Sequence, residues 1–415
     1  SASVHREWLL IELRSPWTVG DTIYPAGALL AADFEAFLAG DRNLHVLFEP
    51  TDRSSLAAWA GTRNHILVTT LDNVRSRVAA LAFQGGVWRR EPLAGVPEFG
   101  TASVSAVDEM QSDDYWLVTS SPLEPSTLAI GSAAAPAKAP EKLKHTPAFF
   151  DAAGMKVEQH EAVSKDGTRI PYFQIGRANL PADGSTPTLL YGYGGFEIPL
   201  VPGYNPVSGA AWLEKGHAYV IANIRGGGEF GPRWHQAALK ENRHRAYEDF
   251  AAVAEDLLAR KVTKPARLGI MGGSNGGLLM GNMLAMRPDL FGAIVCQVPL
   301  LDMRRFNKLL AGASWMGEYG DPDKPEQWSF IRGFSPYHTV SRGQDYPPIL
   351  ITTSTRDDRV HPGHARKMTA RLIDYGKPVL YYENIEGGHG GAADNKQKAF
   401  MDALGWTFLD RELTD

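Results

Sequence analysis

The chain has 415 residues, 44% hydrophobic and 21% charged, which is the composition of a globular protein with a sizeable core and about two domains. Its 42 basic and 47 acidic residues give a net charge of −5, without the basic excess that a nucleic-acid backbone requires, so we expect no nucleic-acid partner. The single cysteine, Cys296, excludes an internal disulfide framework and a CxxC metal or redox site. No apolar run approaches the roughly 20 residues of a membrane span, so we expect no membrane partner.

The first 132 residues predict antiparallel β structure. Short apolar or alternating runs are separated by Gly, Pro, Asn and Asp, and signals such as Gly85-Gly86 are typical of hairpins. This length would hold about three four-stranded sheets, which indicates blades of a β-propeller or part of a sandwich. The predicted strands are 8–13, 44–48, 65–71, 78–83, 87–91, 103–107, 115–119 and 127–130.

A change of composition follows these strands. The sequence AAAPAKAPEKLKHTP at 133–147 is poor in large apolar residues and rich in Pro, Ala and Lys, as linkers are. We therefore predict a partial propeller over 1–132, a linker over 133–156 and a second domain over 157–415.

The second domain alternates strands with long amphipathic helices, which predicts an α/β fold with a mostly parallel sheet. The predicted strands are 188–193, 218–223, 267–271, 293–297, 349–353 and 379–382, and the predicted helices are 243–260, 277–286, 361–375 and 392–409.

A candidate nucleophile lies between the third of these strands and the following helix. The sequence GGSNGG at 272–277 matches G-x-S-x-G in the strand-turn-helix setting that the motif requires. Such a tight turn needs glycines around the serine, and it leaves the next amide free to donate to an oxyanion. Ser274 is therefore the candidate nucleophile, and the Asn275 amide a candidate oxyanion donor.

A serine nucleophile needs a histidine base and an acid that orients it. In α/β-hydrolases the order along the chain is Ser, then Asp, then His. Asp357 and Asp358 follow the strand 349–353, at the edge where parallel sheets place their sites, and the residues alone leave the choice between them open. His389 follows the last strand in a glycine-rich loop and is the candidate base.

Two other motifs, which could indicate a nucleotide site and a metal site, lack the surrounding sequence that such sites require. The sequence GGGEFG at 226–231 matches a dinucleotide fingerprint, but Pro232 follows it and no second strand ends in an acid at the required distance. His361 and His364 form an H-x-x-H pair without suitably placed acidic or cysteine ligands. We therefore predict no nucleotide, no metal and no other cofactor.

Several long motifs together resemble one enzyme family. They are YGYGGF at 191–196, NIRGGGEFG at 223–231, GGSNGG at 272–277, RPDLFG at 287–292 and DDRV at 357–360. From about 158 to 409 the chain closely resembles the catalytic domain of the prolyl oligopeptidase family of serine peptidases. In that family an α/β-hydrolase domain is capped by a seven-bladed propeller, so the resemblance implies that 1–132 are the last blades. The family's N-terminal segment and early blades are missing, which implies a fragment or a processed product.

The resemblance also implies roles for matched residues. Ser274 would be the nucleophile, Asp357 rather than Asp358 the orienting acid, and His389 the base. The oxyanion would be held by the Asn275 amide and the hydroxyl of Tyr193, a phenol that donates from a fixed ring.

The primary substrate pocket is implied by a stretch around Trp315. The resemblance implies that Trp315 stacks on the proline ring of the substrate, since a flat aromatic face suits this rigid ring. It also implies that Arg359 binds the carbonyl of the substrate residue before the proline. The further pocket residues implied are Tyr319, Leu300, Val360 and Phe196. The branch of the family that cleaves after basic residues carries an acid near the position that matches Trp315. The tryptophan at this position favours cleavage after proline, although an acid, Glu318, is close to it in sequence.

The sequence thus predicts a serine peptidase that cleaves short peptides after proline through an acyl-enzyme. The alternatives are a peptidase of other specificity, an acylaminoacyl peptidase, an esterase, or an inactive truncated binding remnant. We expect a peptide substrate, a cytoplasmic location with the periplasm as the alternative, and the missing propeller part as a candidate partner chain.

Overall fold

The computed structural model describes residues 1–414. One of its two units consists of Ser1–Ala148, Val201–Asn205 and Gly228–Trp234 and is built from three four-stranded antiparallel sheets and one short hairpin. Its elements are β1 Ala2–His5, β2 Trp8–Glu12, β3 Trp17–Val19, β4 Thr22–Tyr24, β5 Leu29–Asp33, α1 Phe34–Leu38, β6 His45–Phe48, β7 Ser54–Gly61, β8 Ile66–Asp72, β9 Arg75–Gln84, β10 Val87–Pro92, β11 Thr101–Ala106, β12 Asp114–Ser121, β13 Glu124–Ser132 and β14 Glu141–His145.

The middle sheet of this unit, β10-β9-β8-β7, packs against another sheet on each of its faces. Successive side chains of a strand point to opposite faces, so Ile66 and Val68 pack with Leu10 of the sheet β1-β2-β5-β6. Leu67 lies between them in sequence and packs with Tyr115 of the sheet β11-β12-β13-β14. Face-to-face stacking of successive antiparallel sheets confirms the predicted all-β blades.

The predicted linker contains a strand that the composition did not reveal. All five residues of β14 are exposed, and they pair with β13 in the register Thr127↔His145 and Ile130↔Glu141. An edge strand is held by backbone hydrogen bonds and often carries charged side chains, so it needs no apolar pattern. The interpretation of 141–145 as linker was therefore wrong.

The other unit consists of the remaining described residues and contains one eight-stranded sheet in the order β15-β16-β18-β17-β19-β20-β21-β22. Strands β17 to β22 run parallel to one another, whereas β15 and β16 form an antiparallel edge. The strands are β15 Met155–Val163, β16 Arg169–Arg177, β17 Thr188–Tyr191, β18 Ala218–Ala222, β19 Leu268–Gly273, β20 Ala293–Gln297, β21 Ile349–Ser354 and β22 Val379–Asn384.

Helices connect these strands, and the four long ones match the predicted helices to within a few residues. The α-helices are α2 Pro206–Ala211, α3 Pro232–Gln236, α4 His244–Ala259, α5 Asn275–Met286, α6 Met316–Tyr319, α7 Pro325–Ile331, α8 Pro336–Thr339, α9 Gly363–Asp374 and α10 Asn395–Thr414. No helix among the described residues is both long and apolar enough to cross a membrane.

The central strands are almost wholly buried. Leu190, Ile270, Ile294 and Ile351 have no exposed surface at the heart of β17, β19, β20 and β21, because helices cover a parallel sheet on both faces. The loops that follow β17, β19, β21 and β22 leave the same carboxyl edge of the sheet. These loops carry the residues that the sequence predicted to be functional.

Candidate active site

Ser274 lies on a strained turn between β19 and α5. Its φ of 58° and ψ of −116° are rare for a residue with a side chain, and conformations of this kind cluster at functional sites. Close packing keeps the turn tight: a Cβ on Gly272 would lie 2.6 Å from the Gly276 carbonyl oxygen, and one on Gly276 would lie 2.8 Å from that of Gly192. Gly272 and Gly276 are therefore required because a side chain at either position would not fit.

Three predicted side chains meet at this turn. His389 Nε2 lies 3.0 Å from Ser274 Oγ, within reach of the hydroxyl proton. His389 Nδ1 is 2.8 Å from Asp357 Oδ2 and 3.0 Å from Oδ1, so it donates to that carboxylate. Asp358 is exposed, whereas Asp357 is 4% exposed. The arrangement can move a proton from the serine to a histidine whose tautomer is fixed by a buried acid.

The loop that carries each partner is anchored by its own hydrogen bonds. Asp357 Oδ1 accepts from the backbone N–H of Arg359 at 2.9 Å and of Val360 at 2.8 Å. In the histidine loop, the Gly391 carbonyl accepts from Asn384 Nδ2 at 2.9 Å and from Ser354 Oγ at 3.0 Å. Both bonds tie the loop back to the sheet, which limits the positions that His389 can take.

Asn275 and Tyr193, the residues of the two candidate oxyanion donors, are in contact at the serine turn. Asn275 begins α5 directly after Ser274 and is fully buried, and its side-chain Nδ2 donates to the Tyr193 carbonyl at 2.7 Å. Burial raises the pKa of the half-buried Tyr193 hydroxyl, and the charges of Arg359 and Arg243 offset part of that rise. A phenol with a raised pKa stays protonated and keeps its ability to donate.

A buried ion-pair network, which sequence reasoning missed, lies beside these donors. Arg243 Nη1 donates to Glu318 Oε1 at 3.0 Å, and His235 Nε2 donates to Glu318 Oε2 at 2.7 Å. Burial alone would raise the pKa of Glu318, but the His235 hydrogen bond, the Arg243 charge and the N–H of Phe196 outweigh it and hold that pKa below its usual value. In sequence Arg243 resembles any basic residue at the start of an exposed helix, so no local pattern could have identified it.

The predicted pocket residues differ in exposure. Trp315 is half-buried at the end of a 3-10 helix, and Arg359 is exposed, while Tyr319, Leu300 and Val360 are at most 2% exposed. The ring of Phe196 meets that of Tyr319 edge to face at 5.7 Å, and the Tyr319 hydroxyl donates to Asn275 Oδ1 at 2.8 Å. The structure thus brings Phe196 and Tyr319 to the serine turn.

The histidine pair that resembled a metal site has other contacts. His361 Nδ1 accepts from the backbone N–H of Gly363 at 2.9 Å, and His364 Nδ1 accepts from that of Asp302 at 3.0 Å. Burial lowers the pKa of His364 to about 4, which keeps the ring neutral near pH 7. Within residues 1–414, no group of three or more His, Cys, Asp or Glu side chains is placed to hold a metal ion.

Gly226, the first residue of the glycine-rich 226–231 motif, packs tightly against the turn after β17. It has a φ of 93°, and a Cβ there would lie 2.5 Å from the Gly194 carbonyl oxygen. Before it, the buried Arg225 donates to the buried Asp249 and to the exposed Asp166. These contacts support a structural interpretation of the motif.

Comparison with known proteins gives one consistent result. The family model described as the prolyl oligopeptidase family matches residues 206–415. Over 406 residues the chain is 50% identical to the uncharacterised peptidase y4nA of Sinorhizobium fredii, covering 97% of this chain and 55% of that protein. Over 314 residues it is 36% identical to a prolyl endopeptidase of Elizabethkingia miricola, covering 74% of this chain and 44% of that protein.

Solved structures agree with these relatives. The whole chain aligns with 60% of a post-proline cleaving enzyme from Rickettsia typhi, with a TM-score of 0.91 and 33% sequence identity. The chain therefore spans about half the length of the curated relatives that it matches.

Proposed function

Because this chain belongs to the prolyl oligopeptidase family of serine peptidases, we propose that it hydrolyses short peptides on the carboxyl side of proline through an acyl-enzyme at Ser274. The observation that carries the proposal is the hydrogen-bonded line from Ser274 Oγ through His389 to Asp357. Two similar proteins support the preference for proline, since one is named a prolyl endopeptidase and the other a post-proline cleaving enzyme.

The proposed reaction has two matched halves. Ser274 Oγ attacks the carbonyl carbon of the prolyl residue while His389 Nε2 takes the hydroxyl proton, and the same imidazole then protonates the leaving amine. In the second half, water attacks the acyl-enzyme and gives a proton to His389, which returns it to Ser274 Oγ as the bond to the carboxylic acid product breaks. Asp357 stays ionised throughout and stabilises the imidazolium that forms in each half.

The negative charge that develops on the carbonyl oxygen needs donors that are already in place. The Asn275 N–H at the start of α5 and the Tyr193 hydroxyl would supply them. Fixed donors of this kind cost no reorganisation during the reaction, and removing one typically lowers kcat by about 100- to 1000-fold.

The burial of Glu318 and its hydrogen bonds within the protein support a preference for proline over a basic residue. A carboxylate free to pair with a substrate arginine would favour cleavage after basic residues. Glu318 is 5% exposed and already accepts from Arg243, His235 and the Phe196 N–H, so its charge is neutralised inside the protein. Trp315 would then supply the flat apolar face for the pyrrolidine ring.

A panel of blocked dipeptide amides tests the proposal. The substrates carry Pro, Ala, Arg or Phe before a chromogenic leaving group, and the variants are Ser274→Ala and, as a matched control, Ser329→Ala on the exposed face of α7. We expect hydrolysis of the prolyl amide at least tenfold faster than of the others, loss of that activity in Ser274→Ala, and normal activity in Ser329→Ala. Preferred cleavage after arginine, or full activity of a folded Ser274→Ala variant, would overturn the proposal.

A further inference from the structure

The side chain of Asn275 connects the two sides of the proposed oxyanion hole. Its Nδ2 donates to the carbonyl of Tyr193, the residue whose hydroxyl is the second proposed donor, at 2.7 Å. Its Oδ1 accepts from Arg243 Nη2 at 2.5 Å and from the Tyr319 hydroxyl at 2.8 Å. Since Asn275 is 0% exposed, these contacts fix the carboxamide at both ends.

Arg243 is an unusual residue to find at this point. It is 0% exposed, and taking a guanidinium out of water is costly unless acceptors meet it. Its two terminal nitrogens reach different partners: Nη1 donates to Glu318 and Nη2 to Asn275. A planar guanidinium suits this bridging because its donors have a fixed geometry, which the single ammonium of a lysine lacks.

Glu318 extends the same bridge to the turn after Tyr193. Its Oε1, which accepts from Arg243, also accepts from the backbone N–H of Phe196 at 3.0 Å. Phe196 and Glu197 have φ values of 56° and 58°, so this turn needs outside contacts to hold its conformation. Arg243 therefore links the serine turn, through Asn275, with the turn 193–197, through Glu318.

We propose that Arg243 is a positioning residue of the oxyanion hole, acting through Asn275 to hold the two donors at the distance that the reaction needs. This inference rests on the proposed function. It predicts that loss of Arg243 slows the chemical step while substrate binding is preserved, because a displacement of about 1 Å can cost roughly 100-fold in rate.

A second role for Arg243, neutralising the buried charge of Glu318, must be separated from positioning. Arg243→Met removes both roles and leaves Glu318 buried without its cation. Adding Glu318→Gln removes that uncompensated charge, so any slowing that persists in the double variant Arg243→Met/Glu318→Gln comes from the lost contacts of Arg243 with Asn275 and with residue 318, and not from an unbalanced buried charge. Arg243→Lys keeps the positive charge, but its single ammonium group can restore only one of the two contacts, with Glu318 or with Asn275.

A matched control is available in the same unit. Arg260 is partly buried and, like Arg243, bridges side chains, but it donates to Tyr172 and Gln174 rather than to Asn275 or Glu318. Arg260→Met therefore reports the effect of losing a bridging arginine away from the serine turn.

The experiment measures two reactions of the purified chain and its variants. One is the rate at which a fluorophosphonate modifies Ser274, located by peptide mass spectrometry, and the other is kcat and KM for the prolyl amide. We expect Arg243→Met to lower both the modification rate and kcat by about 10- to 100-fold with KM within threefold of the original, the double variant to remain as slow, and Arg243→Lys to recover part of the rate. Arg260→Met should react within twofold of the unmodified chain.

Opposite results would overturn the inference. Recovery of full rate in the double variant would show that Arg243 serves only to balance Glu318, and an unchanged modification rate in Arg243→Met would exclude positioning. If the unmodified chain reacts with the fluorophosphonate at Ser274 but does not cleave after proline, the proposed specificity fails while the modification rates still decide the role of Arg243.

Discussion

Replacing Asp357 by asparagine should abolish most activity while leaving the fold intact. The new carboxamide would keep an oxygen for the backbone N–H groups of Arg359 and Val360, from which Asp357 Oδ1 accepts at 2.9 and 2.8 Å. Toward His389 Nδ1, however, it would present an NH₂ group where the carboxylate oxygen now lies at 2.8 Å. The imidazole would then carry its proton on Nε2, facing Ser274, and could not accept the hydroxyl proton.

The loss follows from that tautomer change. A misplaced imidazole proton typically costs about 10⁴-fold in kcat, which corresponds to about 5 kcal/mol of transition-state stabilisation. Asp357→Ala would in addition leave the N–H groups of Arg359 and Val360 without their acceptor, at about 1 to 3 kcal/mol of unfolding free energy for the buried N–H of Val360, whereas Asp357→Asn should unfold within about 1 kcal/mol of the original chain.

The assay is kcat/KM for the prolyl amide together with urea unfolding, and Asp358→Asn is the matched control. Asp358 is exposed, so its replacement should change neither quantity by more than about twofold or about 0.5 kcal/mol. Retention of more than a tenth of the activity in Asp357→Asn, or an equal loss in Asp358→Asn, would refute the assignment of the orienting acid.

Three further predictions concern strain, acid stability and specificity. Ser274→Gly should be more stable than Ser274→Ala by about 1 to 3 kcal/mol in urea unfolding, because glycine adopts a φ of 58° without strain. Equal stabilities of the two variants would mean that the turn stores no backbone strain. Burial alone would raise the pKa of Asp113, but the hydrogen bonds that His65, Asn64 and Thr62 donate to its carboxylate outweigh burial and lower this pKa to about 2. Its contribution of about 2 kcal/mol is complete above pH 4 and is lost as the pH falls toward 2, so the stability gap between the original chain and Asp113→Asn should close over that range; a gap independent of pH would contradict this. Trp315→Ala should lower kcat/KM for prolyl amides roughly thirtyfold, which corresponds to about 2 kcal/mol of lost apolar contact, and should affect alanyl amides less; an equal loss for both would remove Trp315 from the pocket.

The strands and loops that carry the site could be predicted because they obey local rules. Buried parallel strands such as 293–297 are continuous apolar runs, and the structure places β20 at the same residues. The order of Ser274, Asp357 and His389 along the chain placed all three after strands, and parallel strands deliver such residues to one edge. For Ser274, Asp357 and His389, the local sequence pattern and the sheet topology therefore indicate the same edge of the sheet.

Other features depend on contacts between distant segments and leave no local pattern. The strand β14 is held through its backbone by β13, so its charged side chains resembled a linker. Of Asp357 and Asp358, only Asp357 turns its carboxylate inward to His389, which is a property of the turn rather than of the residue type. Arg243 and Glu318 are 75 positions apart, and only folding reveals that they share a buried ion pair.

The central claim is that Ser274 is a nucleophile beside a pocket for proline. A blocked dipeptidyl diphenyl phosphonate ending in proline tests both parts at once, because it bonds covalently to an activated serine only after its proline analogue has bound. Intact-mass and peptide spectrometry should show one adduct per chain, on Ser274, formed at least tenfold faster than with the arginine analogue. No adduct, an adduct on another residue, or faster reaction with the arginine reagent would contradict the account.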